Sequence, residues 1–251
     1  MKKRVLSAMP SQTFAEGALD AAQQTGELSY DGYKKVWSDE FNGDSLNRAD
    51  WNVETHEKGW VNNELQEYVD SAENIQVKDG KLIINPVKKV TDGDTGSTKE
   101  AASYTSGRVS TQNKQTFTYG RLECRAKVPK SQGTYTITDG ADFSDDFHIY
   151  TCDWEPGKIT WYVDGVKYHE ESEWHSTTVG QGTLAYPAPF DQPFYIILNL
   201  AVGGSWGGNP NDETSFENNP YVIDYVRVYR KDSYDEDVKR PGKGSYTYIV
   251  R

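Results

Sequence analysis

Few residues in this 251-residue chain are placed to do chemistry by their type and spacing. Carboxylates two apart on a strand point to one face, where they can divide the work of nucleophile and general acid. Glu170-Glu171-Ser172-Glu173 has that spacing, but it follows a hairpin strand and runs into Trp174 and His175, so it reads as a solvated edge. Asp142 with Asp145-Asp146 reads as a turn cluster leading into a strand, and Asp235-Glu236-Asp237 lies in the tail. No serine sits on a recognisable nucleophile elbow, and His56, His148, His169 and His175 have no zinc spacing. Two stretches stand out for other reasons. Trp60 to Tyr68 is polar and aromatic without a period and reads as a loop with a job, and Gly203–Gly208, which carries Trp206, reads as a mobile aromatic loop.

The elements that must position these residues centre on Phe117 to His169. Leu122, Cys124, Ala126 and Val128 alternate with Arg121, Glu123, Arg125 and Lys127, the pattern of a strand with one face buried and one wet. Alternating runs follow at His148–Trp154 and Ile159–Val163, and the second ends in Asp164-Gly165, a hairpin turn leading into Val166–His169. Asn74–Val77 and Lys81–Asn85 flank Asp79-Gly80 as another hairpin. Asp50–Val53 and Tyr104–Thr111 read as strands, and Thr91–Ser103 as a surface loop. Phe194–Val202, apolar except at Asn199, reads as a strand covered on both faces. Val222–Tyr229 closes the set, and Ser245–Val250 could add a small terminal strand. Phe14–Gln24 is the one helix-permissive patch. Short strands with Gly-rich turns and almost no helix define an all-β sandwich, with an arm at 1–35, the domain at 36–231 and a tail at 232–251.

A chain of this length can bury one large core. Aromatics make up 13% of it, including 7 Trp and 17 Tyr, which suits either a β core or a stacking platform for sugars. The formal charge of −11 argues against nucleic acid, and no run is apolar and long enough to cross a membrane. Cys124 and Cys152 form no CxxC; their phases place both inward as free thiols, although adjacent strands would also allow a disulfide. Met1-Lys2-Lys3-Arg4 is like the start of an export signal, but the apolar stretch before Pro10 is too short for one.

Several segments resemble glycoside hydrolase family 16, and within it the laminarinase-like β-1,3-glucanases. They are Trp37-Ser38-Asp39-Glu40-Phe41-Asn42-Gly43, Asn62-Asn63-Glu64-Leu65-Gln66, Ser106-Gly107-Arg108-Val109, Gly120–Pro129, Asp146-Phe147-His148, Trp161–Gly165, Asn199–Gly204 and Asp224–Tyr229. They occur in family order over roughly residues 33 to 231. The resemblance implies a jelly-roll sandwich of two antiparallel sheets, a glucan held on the concave one, and a monomer working outside the cell or at its surface. It implies that Trp60, Asn63, Arg108 and Trp206 face the sugar, where amide and guanidinium groups can bond hydroxyls and indoles can stack on C–H faces. It also implies a structural calcium held by the Glu40 side chain, the Gly80 carbonyl and the Asp224 side chain, a set of oxygens that suits a hard cation.

One expected segment is missing. The family carries both catalytic carboxylates on one strand as Glu-x-Asp-x-x-Glu or a close variant, after a Trp-Pro strand and before a His-containing one. Here Pro129-Lys130-Ser131-Gln132-Gly133-Thr134 runs directly into Tyr135-Thr136-Ile137-Thr138-Asp139-Gly140-Ala141-Asp142-Phe143, which resembles the stretch just before Asp146-Phe147-His148. The junction falls near Gly133–Tyr135, so the concave face is expected to be incomplete and the hydrolase activity little or none. A β-glucan-binding sandwich without catalysis and a structural module without ligand are the other two readings.

Overall fold

The computed structural model describes residues 24, 26–89, 103–130, 142–178, 180, 182–211, 214–241 and 247–249. All but the last residue of the helix-permissive patch, most of the Thr91–Ser103 loop and the Gly133–Tyr135 junction lie outside them. In chain order the strands are β1 (Lys34–Asp39), β2 (Asn52–Val53), β3 (Gln66–Tyr68), β4 (Ile75–Lys78), β5 (Lys81–Ile84), β6 (Val87–Lys89), β7 (Ser103–Ser106), β8 (Arg108–Ser110) and β9 (Gly120–Lys127). They continue as β10 (His148–Glu155), β11 (Lys158–Val163), β12 (Val166–Glu171), β13 (Trp174–Thr178), β14 (Gly182–Thr183), β15 (Ile197–Asn199), β16 (Tyr221–Arg230) and β17 (Thr247–Ile249). A single four-residue helix, α1 (Gly204–Gly207), lies between β15 and β16. No helix among the described residues is long and apolar enough to cross a membrane.

The fold is an all-β jelly-roll sandwich. Its large layer is an eight-stranded sheet in the order β12-β11-β10-β9-β16-β5-β4, with β1 also paired to β16. The hairpin turns fall where the Asp-Gly pairs predict. Asp79 and Gly80 have φ of 52° and 69°, and Asp164 and Gly165 have 51° and 78°. Positive φ at both central residues is what a tight hairpin between right-twisted strands requires.

The facing layer is narrower and built in pieces, β15-β8-β2 and β3-β7-β6, while β14-β13-β17 forms a further small sheet. Two pairings, β3 with β7 and β13 with β17, are parallel, so the sheets are not uniformly antiparallel. Val109 of β8 and Leu198 of β15 pack against Leu82, Ile84, Ala126, Ile223 and Val226 of the large sheet, which closes one half of the core. The other half gathers Tyr119, Trp154, Ile159 and Trp174 under Phe190, Phe194 and Tyr186. The Trp154 and Trp174 indole N–H groups donate to the carbonyls of Phe190 and Pro187 at 2.8 and 3.0 Å. A loop, not a strand, therefore covers the face of β10 and β11 there. Trp51, Trp154 and Trp174 are core, whereas Trp60 is 42% exposed.

Two expectations change. Phe194–Val202 holds only three strand residues, and Ile197 and Tyr195 are exposed, because β8 is the only strand paired with β15 among the described residues. The charged face of β9 is not wet either: Glu123 and Arg125 are 1% and 3% exposed. Alternation separates two faces without saying which of them meets water. Here Gly26 to Tyr33 lie over the charged face. The Tyr30 hydroxyl donates to Glu123, and Arg227 donates to the Gly26 carbonyl at 2.9 Å. Arg125 pairs with Asp224 at 2.7 Å and Arg121 with Asp153 at 2.8 Å. Arg227 sits amid this layer, bonded to both oxygens of Glu40 and 3.8 Å from Glu123. Replacing Arg227 by Leu removes the cation that Glu40 and Glu123 share and should destabilise the protein by about 3 kcal/mol, read as a lowered urea midpoint with unchanged slope. A shift within a few tenths of a kcal/mol would show that the layer is more hydrated than its burial indicates.

The cysteines are free and face inward. Cys124 stands opposite Tyr150 and Cys152 opposite Leu122, so they are diagonal neighbours. Diagonal Cα atoms lie about 7–8 Å apart, too far for a disulfide without backbone movement. Burial pushes both thiols up to about 12. Both should therefore resist a thiol-reactive disulfide reagent at pH 8 and react together on unfolding, which absorbance at the released thiolate would follow. Rapid labelling of the native protein would contradict their placement.

Candidate functional site

Arg108 begins β8, and the register of β2 on β8 (Asn52 opposite Ser110, Val53 opposite Val109) brings the next residue, Glu54, beside it. The Glu54 N–H donates to the Arg108 carbonyl at 2.9 Å, and Arg108 Nε donates to Glu54 Oε2 at 2.5 Å. The Arg108 guanidinium carbon lies 5.4 Å from the Trp60 ring centre and 5.9 Å from that of Tyr68. Arg108 is thus a sheltered, oriented cation, 13% exposed at its side chain.

Trp60 lies on the turn before β3. Its ring stacks on His56 with centroids 3.5 Å apart and planes 6° from parallel. His56 and Tyr68 exchange backbone hydrogen bonds at 3.1 and 2.9 Å, which fixes that turn against β3. Asn63, exposed and at a φ of 53°, donates its amide to Ser205 Oγ at 3.1 Å. The Ser205 N–H returns a bond to the Asn62 carbonyl at 2.7 Å. The turn carrying Trp60 and Asn63 is therefore tied to α1, whose backbone includes Trp206 immediately after Ser205. Of the four expected sugar-facing residues, three converge here and the fourth lies one residue from the tie.

The site also uses residues without a recognised role in the sequence. The Tyr68 hydroxyl accepts from Asn199 Nδ2 at 2.8 Å and lies 3.4 Å from Glu64 Oε2. Burial, followed by the Glu64 charge, pushes Tyr68 up to about 12, so it stays a neutral donor. Gln66 donates to Glu64 at 2.8 Å and accepts from the Val202 N–H at 2.7 Å. Asn199, the one polar break in an apolar run, was the available signal; nothing in the sequence marks Glu54 or His56.

Both carboxylates of this region are engaged, Glu54 by Arg108 and Glu64 by Gln66 and Tyr68. Burial alone would raise Glu54, but its hydrogen bonds and the Arg108 charge prevail and hold it below the usual range. The other acidic groups serve locally. Glu171 Oε1 accepts from the N–H groups of Ser172 and Glu173, Asp142 from Ser144, Asp145 from Asp142, and Asp235 from Asp237.

Glu40 and Asp224 are likewise committed. Both Glu40 oxygens accept from Arg227 at 2.9 Å, and these bonds hold its carboxyl low despite partial burial. Asp224 is paired with Arg125, while Gly80 turns the β4–β5 hairpin. No group of three or more His, Cys, Asp or Glu able to hold a metal gathers among the described residues. Two guanidinium groups stand where a dication would need free oxygens, so the set as arranged does not fit calcium, and no step below uses one.

The sandwich is the jelly roll found in glycoside hydrolases. The family model for glycosyl hydrolases family 16 matches residues 134–227. The chain is 32% identical to a glucan endo-1,3-beta-glucosidase of Cryptopygus antarcticus, over 77% of this chain and 90% of that protein. It is also 31% identical to glucan endo-1,3-beta-glucosidase A1 of Niallia circulans, over 80% of this chain but only 38% of that longer protein. A shorter match, 37% identical over 92 residues, joins 33% of the chain to 25% of a beta-1,3-glucan-binding protein of Penaeus monodon. The solved endo-beta-1,3-glucanase of Pyrococcus furiosus superposes with a TM-score of 0.65 at 32% identity, over 82% of this chain and 98% of that one. This chain belongs to family 16 of the glycosyl hydrolases and is like its endo-1,3-β-glucanases.

The alignments are longer than the part of this chain they contain. The Cryptopygus alignment runs 256 positions but takes in 77% of 251 residues, about 193, leaving about 63 positions without a residue of this chain. The Niallia alignment, 266 positions against about 201 residues (80% of 251), leaves about 65.

Proposed function

We propose that this chain recognises β-1,3- or mixed-linked glucan on the surface formed by Trp60, Asn63 and Arg108, with Trp206 beside it, and hydrolyses that glucan little or not at all. The observation that carries the reading is Arg108, a cation held by Glu54 against Trp60 and Tyr68 on β8, the middle strand of β15-β8-β2. A sugar ring laid here would meet an indole face for its C–H groups and fixed N–H donors for its hydroxyls. Donors that are already oriented lose less freedom on binding than free side chains would.

The loss of chemistry rests on the sequence around Gly133–Tyr135, where the acidic strand of the family is missing. The match to the family model begins at residue 134, beside that junction, and some 63–65 alignment positions have no residue of this chain, which accords with a chain shorter than its relatives over the aligned span. The exposed edge at Ile197 agrees with a layer short of strands. The purified protein in a native gel cast with laminarin tests the reading. Retarded migration supports glucan recognition, whereas migration equal to that in a plain gel rejects it in favour of a structural module.

A further inference from the structure

Glu54 makes no contact with sugar in the reading above, yet two parts of the site meet on it. One oxygen, Oε2, accepts from Arg108 Nε at 2.5 Å and lies 3.3 Å from His56 Nε2. His56 in turn lies flat against Trp60. The guanidinium and the imidazole that backs the indole thus share a single acceptor atom. The exposures are graded: side chains of Glu54, Arg108 and His56 are 16%, 13% and 23% exposed, while Trp60 opens to solvent at 42%. A sheltered anchor with an open working edge is the arrangement that orders donors before a ligand arrives.

We infer that Glu54 is a positioning residue that sets the polar half and the stacking half of the glucan surface together, Arg108 directly and Trp60 through His56. Its place follows from the chain. The β2–β8 register fixes its backbone against Arg108, and the period of two along an extended segment puts Glu54 and His56 on one side. Lys and Gln at these positions could each bond sugar, but neither would hold a guanidinium by charge and an imidazole by the same oxygen. The carboxylate is held below the ordinary range, so it remains a charged acceptor through neutral pH.

This inference rests on the glucan-binding reading for its consequence, but its geometry can be tested without sugar. In ¹⁵N-labelled protein the Arg108 Nε–H should give a downfield, slowly exchanging NMR signal, assigned by its loss in Arg108→Lys. Glu54→Ala should move that signal to the position of a solvated arginine. It should also shift the Trp60 contribution to fluorescence, obtained by difference from Trp60→Phe. Laminarin affinity by calorimetry should fall about tenfold or more from the lost pre-ordering. Adding His56→Ala to Glu54→Ala should cost little further, because the anchor of His56 is already gone. If Glu54→Ala does not fold, Glu54→Gln keeps the shape without the charge and should move the Arg108 signal in the same direction. An Arg108 signal unchanged in both variants, or laminarin affinity equal to that of the unmodified protein, overturns the inference. If the unmodified protein binds no laminarin, the functional proposal falls, while the NMR and fluorescence readouts still decide whether Glu54 positions Arg108 and Trp60.

Discussion

Arg108→Ala is expected to abolish the retardation that laminarin imposes on this protein in a native gel, while leaving its migration in a plain gel unchanged. The truncation removes an oriented cation whose hydrogen bonds to sugar hydroxyls would each contribute about 1.5–3 kcal/mol. Every 1.4 kcal/mol is about a tenfold change in affinity, so the loss should be ten- to a hundredfold or greater, enough to abolish retardation at ordinary laminarin concentrations. It also frees Glu54, whose charge then faces the sugar without its partner. Trp206→Ala should act in the same direction by removing an indole from the glycine-rich turn that Asn63 and Ser205 tie down. Thermal unfolding of each variant shows whether the loss is local. Retardation that survives both substitutions would place the glucan elsewhere on the molecule.

The second large effect is chemical. A retaining glycosidase needs two carboxyl groups about 5–5.5 Å apart, one to attack the anomeric carbon and one to protonate the departing oxygen. General acid–base catalysis alone typically contributes about 10²–10⁴-fold, and the nucleophile contributes a separate share. Here the acids near the expected cleft carry other duties. Glu54 is held as an anion by Arg108, which unfits it to give up a proton, and Glu64 accepts from Gln66 and Tyr68. The rate on laminarin should therefore be that of the uncatalysed solution. Substituting Gln for Glu54 or Glu64 should leave that rate unchanged, which separates their structural work from any catalytic role.

Much of the fold was legible in the sequence because it depends on local chemistry. Asp164-Gly165 and Asp79-Gly80 set hairpins through backbone geometry available to those residues, and the period of two at Arg121–Val128 placed β9 in the central sheet. What escaped reading depends on which distant segment lies opposite. The alternating charges of β9 read as wet, and only the contacts of Tyr30, Gly26 and Arg227 show that they are a buried ionic layer. The register that makes Cys124 and Cys152 diagonal is set by pairing across β9 and β10, not by their spacing in the chain.

The site shows the same division. Trp60, Asn63 and Arg108 stood out by residue type and by family resemblance. Glu54 and His56 did not, because a Glu two residues from a His has many ordinary explanations until the β2–β8 pairing brings Arg108 alongside. Glu40 and Asp224 show the converse: residue type and family position suggested a cation, while the fold supplied each carboxylate with a guanidinium.

Reducing-end release from laminarin, followed over hours with the purified 251-residue protein beside the Cryptopygus antarcticus relative at equal molarity, tests the central claim most directly. If the proposed reading holds, the protein should bind the polymer and yield a time course indistinguishable from the protein-free blank. Release that rises in proportion to protein concentration, and that disappears when Glu54 or Glu64 is replaced by Gln, would contradict it by revealing a working acid pair within this chain.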